Sequence, residues 1–83
     1  MKDTQIRKIE NFCKVKTWIT QRDAYKLGIY RLASRINDMH RLGYWIDREL
    51  ITVENADGTK SRVARYRIVK TPDEVIHDGM EAN

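Results

Sequence analysis

Thr20-Gln21-Arg22-Asp23-Ala24-Tyr25-Lys26-Leu27-Gly28-Ile29-Tyr30-Arg31-Leu32-Ala33-Ser34-Arg35-Ile36-Asn37-Asp38-Met39-His40-Arg41-Leu42-Gly43 reads as two helices joined by a tight turn. Thr20 is a good N-cap, and Asp23 completes a capping box in which Asp replaces the usual Glu or Gln. The helix that follows is short, from Gln21 to about Leu27, and turns Ala24 and Leu27 inward. Gly28 supplies the left-handed backbone that ends it, and Ile29 enters the core just after the turn. In the next helix Leu32, Ala33, Ile36 and Met39 fall on one side at helical spacing, with Gly43 as the C-terminal cap.

On the N-terminal side, a first helix is expected from about Thr4 to Lys14, capped by Asp3 or Thr4. Ile6, Ile9, Phe12 and Cys13 form its core stripe. Trp18-Ile19 breaks the helical period and reads as a short extended piece, a one-bridge strand against a later hairpin. On the C-terminal side, Trp45 to Asn55 is rich in β-branched residues, Asn55-Ala56-Asp57-Gly58-Thr59 is a turn, and Lys60 to Val69 returns. Apolar parity in the first arm is mixed: Ile46 and Leu50 share one phase, Ile51 and Val53 the other. A bulge or a change of face near Glu49–Ile51 would account for that. In the second arm Ala64, Tyr66 and Ile68 share one face, and Val63, Arg65, Arg67 and Val69 the other. Trp18, Trp45 and Tyr66 are expected in the core. Thr71-Pro72 then suits the start of one helical turn.

The 83 residues make one small domain, with 34% charged and 41% hydrophobic residues, a globular balance. Residues 1–69 carry 15 Lys/Arg against 8 Asp/Glu, a net +7. Residues 70–83 carry Lys70 against Asp73, Glu74, Asp78 and Glu81, a net −3, and the two sum to the overall +4. The expected division is therefore a basic domain over 1–69 and an acidic C-terminal tail over 70–83. A basic body suits a polyanionic partner.

Enzymatic chemistry finds no constellation to carry it. His40 and His77 lack partners at useful spacing, Ser34 lacks a nucleophile's strand–turn context, and the four glycines are isolated. Cys13 is the single cysteine, so neither an internal disulfide nor a cysteine-rich zinc site is expected. No cofactor or metal is expected. No membrane span or signal segment is read, which makes cytoplasmic residence in a bacterial host cell the expectation.

Nucleic-acid chemistry is better represented. Arg31, Ser34, Arg35, Asp38 and Arg41 lie on the third helix opposite Leu32, Ile36 and Met39, with Tyr30 and Asn37 flanking. Arginine pairs with two acceptors of guanine, asparagine with adenine, and serine with either base or phosphate. Tyr30, Arg31, Ser34, Arg35 and Asn37 are the candidates for base edges. Arg41, late in the helix, suits a phosphate, and Asp38 suits a partner that orients arginine. Lys60, Arg62, Arg65 and Arg67 make the hairpin a second basic element for the DNA backbone, with Lys60 and Arg62 nearest its tip.

The run Thr20-x-x-Asp23-Ala24-x-x-Leu27-Gly28-Ile29-x-Arg31-Leu32-Ala33-x-Arg35-Ile36-x-Asp38-Met39-x-x-Leu42-Gly43-Tyr44-x-Ile46, with Asn55-x-x-Gly58 and Val63-Ala64-Arg65-Tyr66, resembles a family of small helix-turn-helix proteins. These are common in bacteriophage and prophage genomes and have a winged-helix shape. The resemblance spans roughly residues 5–69 and implies an α+β winged helix-turn-helix, three helices followed by a two-stranded β-hairpin wing. It implies binding of duplex DNA, with the third helix in the major groove and the wing on the backbone. Such a protein would serve as a transcriptional regulator or as a recombination or packaging accessory. The sequence departs from the general helix-turn-helix pattern at Ser34, a place usually apolar, while Ile36 lies two positions later; this bears on the docking angle of the third helix. The alternative from a different class is a phage protein-interaction module that binds and inhibits a host nucleoprotein complex through the acidic tail. A homodimer is compatible with either.

Overall fold

The computed structural model describes residues 4–74. The expected cap at Asp3 and the tail from Val75 onward lie outside the described residues. Three helices and three strands follow one another as α1 (Thr4–Lys16), β1 (Trp18–Thr20), α2 (Gln21–Lys26), α3 (Leu32–Arg41), β2 (Trp45–Glu54) and β3 (Lys60–Lys70).

Helix α1 turns Ile6 and Ile9 into the core and half-buries Phe12 and Cys13, and it runs two residues past the expected end at Lys14. Thr17 stops it, at φ 69°, with its N–H donating to the Cys13 carbonyl at 2.9 Å. That is left-handed backbone on a β-branched residue, a conformation such side chains rarely adopt. The chain leaves it as β1, a three-residue strand antiparallel to β3, longer than the single bridge expected.

Thr20 ends β1 and caps α2 at once. The Asp23 N–H donates to Thr20 Oγ1 at 3.3 Å and the Thr20 N–H donates to Asp23 Oδ2 at 3.0 Å, so Asp closes the capping box as Glu would. Gly28 lies at φ 81°, and the Ile29 N–H reaches the Ala24 carbonyl at 2.8 Å, which folds the chain back and buries Ile29. Lys8 of α1 donates to the Leu27 carbonyl at 3.1 Å, a cation at the C-terminal end of α2.

Helix α3 has no side-chain cap of its own, since Arg31 stands at the N-cap position. Gln21 of α2 takes that role: its Oε1 accepts from the Leu32 N–H at 2.9 Å and its Nε2 donates to the Ile29 carbonyl at 3.0 Å. One amide therefore fixes the angle between the two helices. At the other end Gly43 (φ 101°) donates to the His40 carbonyl at 3.1 Å and Tyr44 to the Met39 carbonyl at 3.0 Å, the bonding of a Schellman cap.

Ile6, Ile9, Ile19, Ala24, Ile29, Leu32, Ile36 and Met39 form the buried core, and half-buried Ile46, Tyr66 and Ile68 of the sheet close it from one side. The sheet order is β1-β3-β2. The wing is thus the outer part of a three-stranded sheet rather than a separate two-stranded ribbon.

Four expectations need correction. Ala33 is exposed and takes no part in the core. Trp45 is not a core residue either: it is 52% exposed, with the Lys70 ammonium 5.0 Å above its ring. Trp18 is half-buried, on the sheet face away from the core. The irregularity in the hairpin falls at Trp45/Ile46, not near Glu49–Ile51, and from Ile46↔Ile68 to Glu54↔Lys60 the register is unbroken. Leu50 keeps the phase of Ile46 but is 46% exposed, because the hairpin has left the helices behind by that point. With both faces wet, nothing forces the alternation to hold.

Candidate nucleic-acid interface

Buried Leu32, Ile36 and Met39 set the inner side of α3. On one flank Arg35 and Asp38 are half-buried and joined at 3.1 Å, beside a groove whose other wall is Ile6, Arg7, Glu10 and Lys14 of α1. On the other flank Ala33, Asn37 and His40 are exposed, and Arg41 is 80% exposed. The open face of α3 is therefore Ala33–Asn37–His40, with Arg41 at the edge it shares with the α1 groove. Tyr30 and Arg31 extend it at the N-terminal end, both exposed, with the Tyr30 ring 6.0 Å from that of Tyr25.

The candidates read from the sequence thus separate. Tyr30, Arg31, Asn37 and Arg41 are all exposed. Ser34 is half-buried, and the Arg35 side chain, 31% exposed, is held by Asp38. Arg41 also approaches Asp38, at 3.9 Å. Ala33 and His40 were missed; their signal was the spacing of 33, 37, 40 and 41 along one helical stripe.

The wing divides by face. Cross-strand pairs Ile46↔Ile68, Arg48↔Tyr66, Leu50↔Ala64, Thr52↔Arg62 and Glu54↔Lys60 place Arg48, Lys60 and Arg62 on the side of the sheet that carries the core residues. All three are exposed, with Glu54 opposite Lys60 as the one carboxylate among these pairs. Arg48 had no place among the sequence candidates, although it shares the phase of Ile46. On the opposite face Arg65 is ion-paired to Glu49 and Arg67 to Asp47, and both guanidinium groups stack on the Trp18 ring, at 4.1 and 5.0 Å from its centroid. Two of the four hairpin cations read from the sequence, Arg65 and Arg67, are therefore engaged by the sheet itself.

The tip is tightly bonded. The Asn55 N–H donates to the Thr59 carbonyl at 2.7 Å, and Asn55 Nδ2 donates to Thr59 Oγ1 and Ser61 Oγ at 2.9 and 2.8 Å. Asp57 Oδ1 accepts from the Thr59 N–H at 3.0 Å and its hydroxyl at 2.6 Å, which holds the carboxyl below its usual pKa.

A family model described as a winged helix-turn-helix domain matches residues 4–71. The chain belongs to this winged helix-turn-helix family. The match covers all three helices, the whole sheet and Thr71. No curated protein and no solved structure matches the chain. Winged helix-turn-helix domains are typically DNA-binding modules without catalysis. Among the described residues no cluster of three or more His, Cys, Asp or Glu could hold a metal, and no helix is long and apolar enough to cross a membrane. Burial pushes the Cys13 thiol up to about 11, which keeps it protonated and unreactive at neutral pH.

Proposed function

We propose that this winged helix-turn-helix protein binds duplex DNA, with α3 in the major groove and the wing along the flanking backbone. The observation that carries the reading is a pair of exposed, polar and basic surfaces, one on α3 and one on the wing. The open side of α3 bears Asn37 and His40, with Arg41 at its edge, and the core-bearing side of the wing bears Arg48, Lys60 and Arg62. Arg41, Arg48, Lys60 and Arg62 neutralise phosphates, while Tyr30, Arg31 and Asn37 are offered to base edges. Arg35 orients on Asp38 and supports the helix, and Arg65 and Arg67 serve the sheet. The resemblance to phage and prophage helix-turn-helix proteins supports a setting there, as a transcriptional regulator or a recombination or packaging accessory.

Titration of a labelled duplex at several salt concentrations tests this. Four phosphate contacts predict that log affinity falls with log salt at a slope of roughly −3 to −4. Absence of any salt-sensitive shift at low ionic strength would end the proposal.

A further inference from the structure

We infer that Ala33 and Asn37 are the pair that sets sequence preference, and that they select an A·T-containing step in the major groove; this rests on the DNA-binding reading above. Asn37 stands in the middle of the open face of α3, exposed, and its carboxamide has no protein partner among the described residues. It presents a donor and an acceptor side by side, which matches the N6–H and N7 edge of adenine. Guanine offers two acceptors at the same edge and asks for two donors. The arginine beside this pair within the helix, Arg35, is half-buried and held by Asp38 at 3.1 Å, while exposed Arg31 and Arg41 stand at the two ends of α3.

Ala33 lies one turn before Asn37 on the same stripe and is exposed. Its methyl lets the helix approach closely and makes apolar contact with the C5-methyl of thymine. Four residues advance a helix by about 6 Å, close to two base-pair rises of about 3.4 Å. The two side chains therefore address thymine and adenine within two base pairs of one another. Ser34, half-buried on the far side of the stripe, does not compete for this position.

Selection of bound duplexes from a random pool should return a site with A·T pairs at its centre. In that site, 7-deazaadenine at one position removes the N7 acceptor, and deoxyuridine at a neighbouring one removes the thymine methyl. The 7-deazaadenine duplex should bind the natural protein roughly 5- to 150-fold more weakly and bind Asn37→Ala no differently from the parent duplex. The deoxyuridine duplex should weaken the natural protein and leave Ala33→Gly unaffected. Asn37 is exposed and alanine is the better helix former, so that variant keeps its fold. A selected site without A·T pairs, or an Asn37→Ala protein that selects the same site, overturns the inference and leaves DNA binding standing. Failure to retain any duplex at low salt overturns both.

Discussion

Both faces of the hairpin carry cations, and they use them differently. On the face that bears the core residues, Arg48, Lys60 and Arg62 are exposed and have no carboxylate bonded to them among the described residues. On the opposite face Arg65 and Arg67 each meet a carboxylate directly across the strand pair, and the Trp18 ring lies against both. The first set remains available to a polyanion. The second ties the short strand β1 to the long hairpin, and so fixes the wing relative to the helices. Net charge alone does not distinguish them, because a cation already paired with a neighbour releases few counterions when DNA arrives.

The comparison is broken most directly at Trp18. Replacing it with alanine removes a half-buried aromatic and both stacking contacts, and about 2 kcal/mol of stability should go with them. In a domain of this size that lowers the midpoint of thermal unfolding by about 10 °C. Measured well below the transition, the salt slope of DNA binding should stay where it was. Arg65→Ala is the milder version, costing about 1 kcal/mol in a denaturant titration and again leaving the slope alone. Arg62→Ala should do the reverse: unfolding is unchanged, affinity falls alike for every duplex, and the slope becomes shallower by about 1. Equal slope changes for Arg62→Ala and Arg65→Ala would mean that the two faces are not distinct.

Part of this division is legible in the sequence itself. The loop Asn55–Thr59 places Glu54 across from Lys60, and counting back along both arms sets Asp47 against Arg67 and Glu49 against Arg65. Strand parity and turn length together therefore contained the ion pairs, and reading the second arm by itself concealed them. The helix-turn-helix was legible for a different reason. Thr20–Asp23, Gly28 and Gly43 act through local backbone chemistry that needs no tertiary knowledge. The open face of α3 was not legible to the same degree. A helical wheel identifies the side opposite the core, but α1 covers the Arg35–Asp38 flank and shifts the exposed surface toward Ala33, Asn37 and His40. Where α1 sits depends on packing between elements distant in sequence, and the spacing within α3 carries no information about it.

Thr17 sharpens the same contrast from the other end of β1. Its left-handed backbone (φ 69°) turns the chain so that Trp18 enters on the outer face and Ile19 on the core face. A β-branched residue is strained there, and glycine is not. Thr17→Gly relieves that strain at some cost in chain entropy, for a net gain of about 0.5–1 kcal/mol by denaturant titration. The Trp18 stacking geometry and the salt slope should both be preserved, since the turn itself is unchanged.

The smallest expected effect lies at the tip, where the two faces meet. Hydrogen bonds from the Thr59 hydroxyl and N–H lower the Asp57 pKa below its ordinary 3.8. A carboxyl whose pKa is lower in the folded state contributes stability above its unfolded value and loses it as pH falls through the folded one. The tip should accordingly hold at neutral pH and loosen only in acid below about 3.8, visible as faster exchange of the Thr59 amide relative to amides in β2 and β3. Asp57→Asn should abolish that acid response, because its amide oxygen still accepts but no longer titrates. It also removes the negative charge nearest the end of the wing. If Lys60 and Arg62 lie along the DNA backbone, the variant should bind all duplexes slightly more tightly at low salt, with the gain disappearing as salt rises. Unchanged binding at low salt would mean that the tip projects away from the duplex, leaving only the base of the wing, around Arg48, in contact with it.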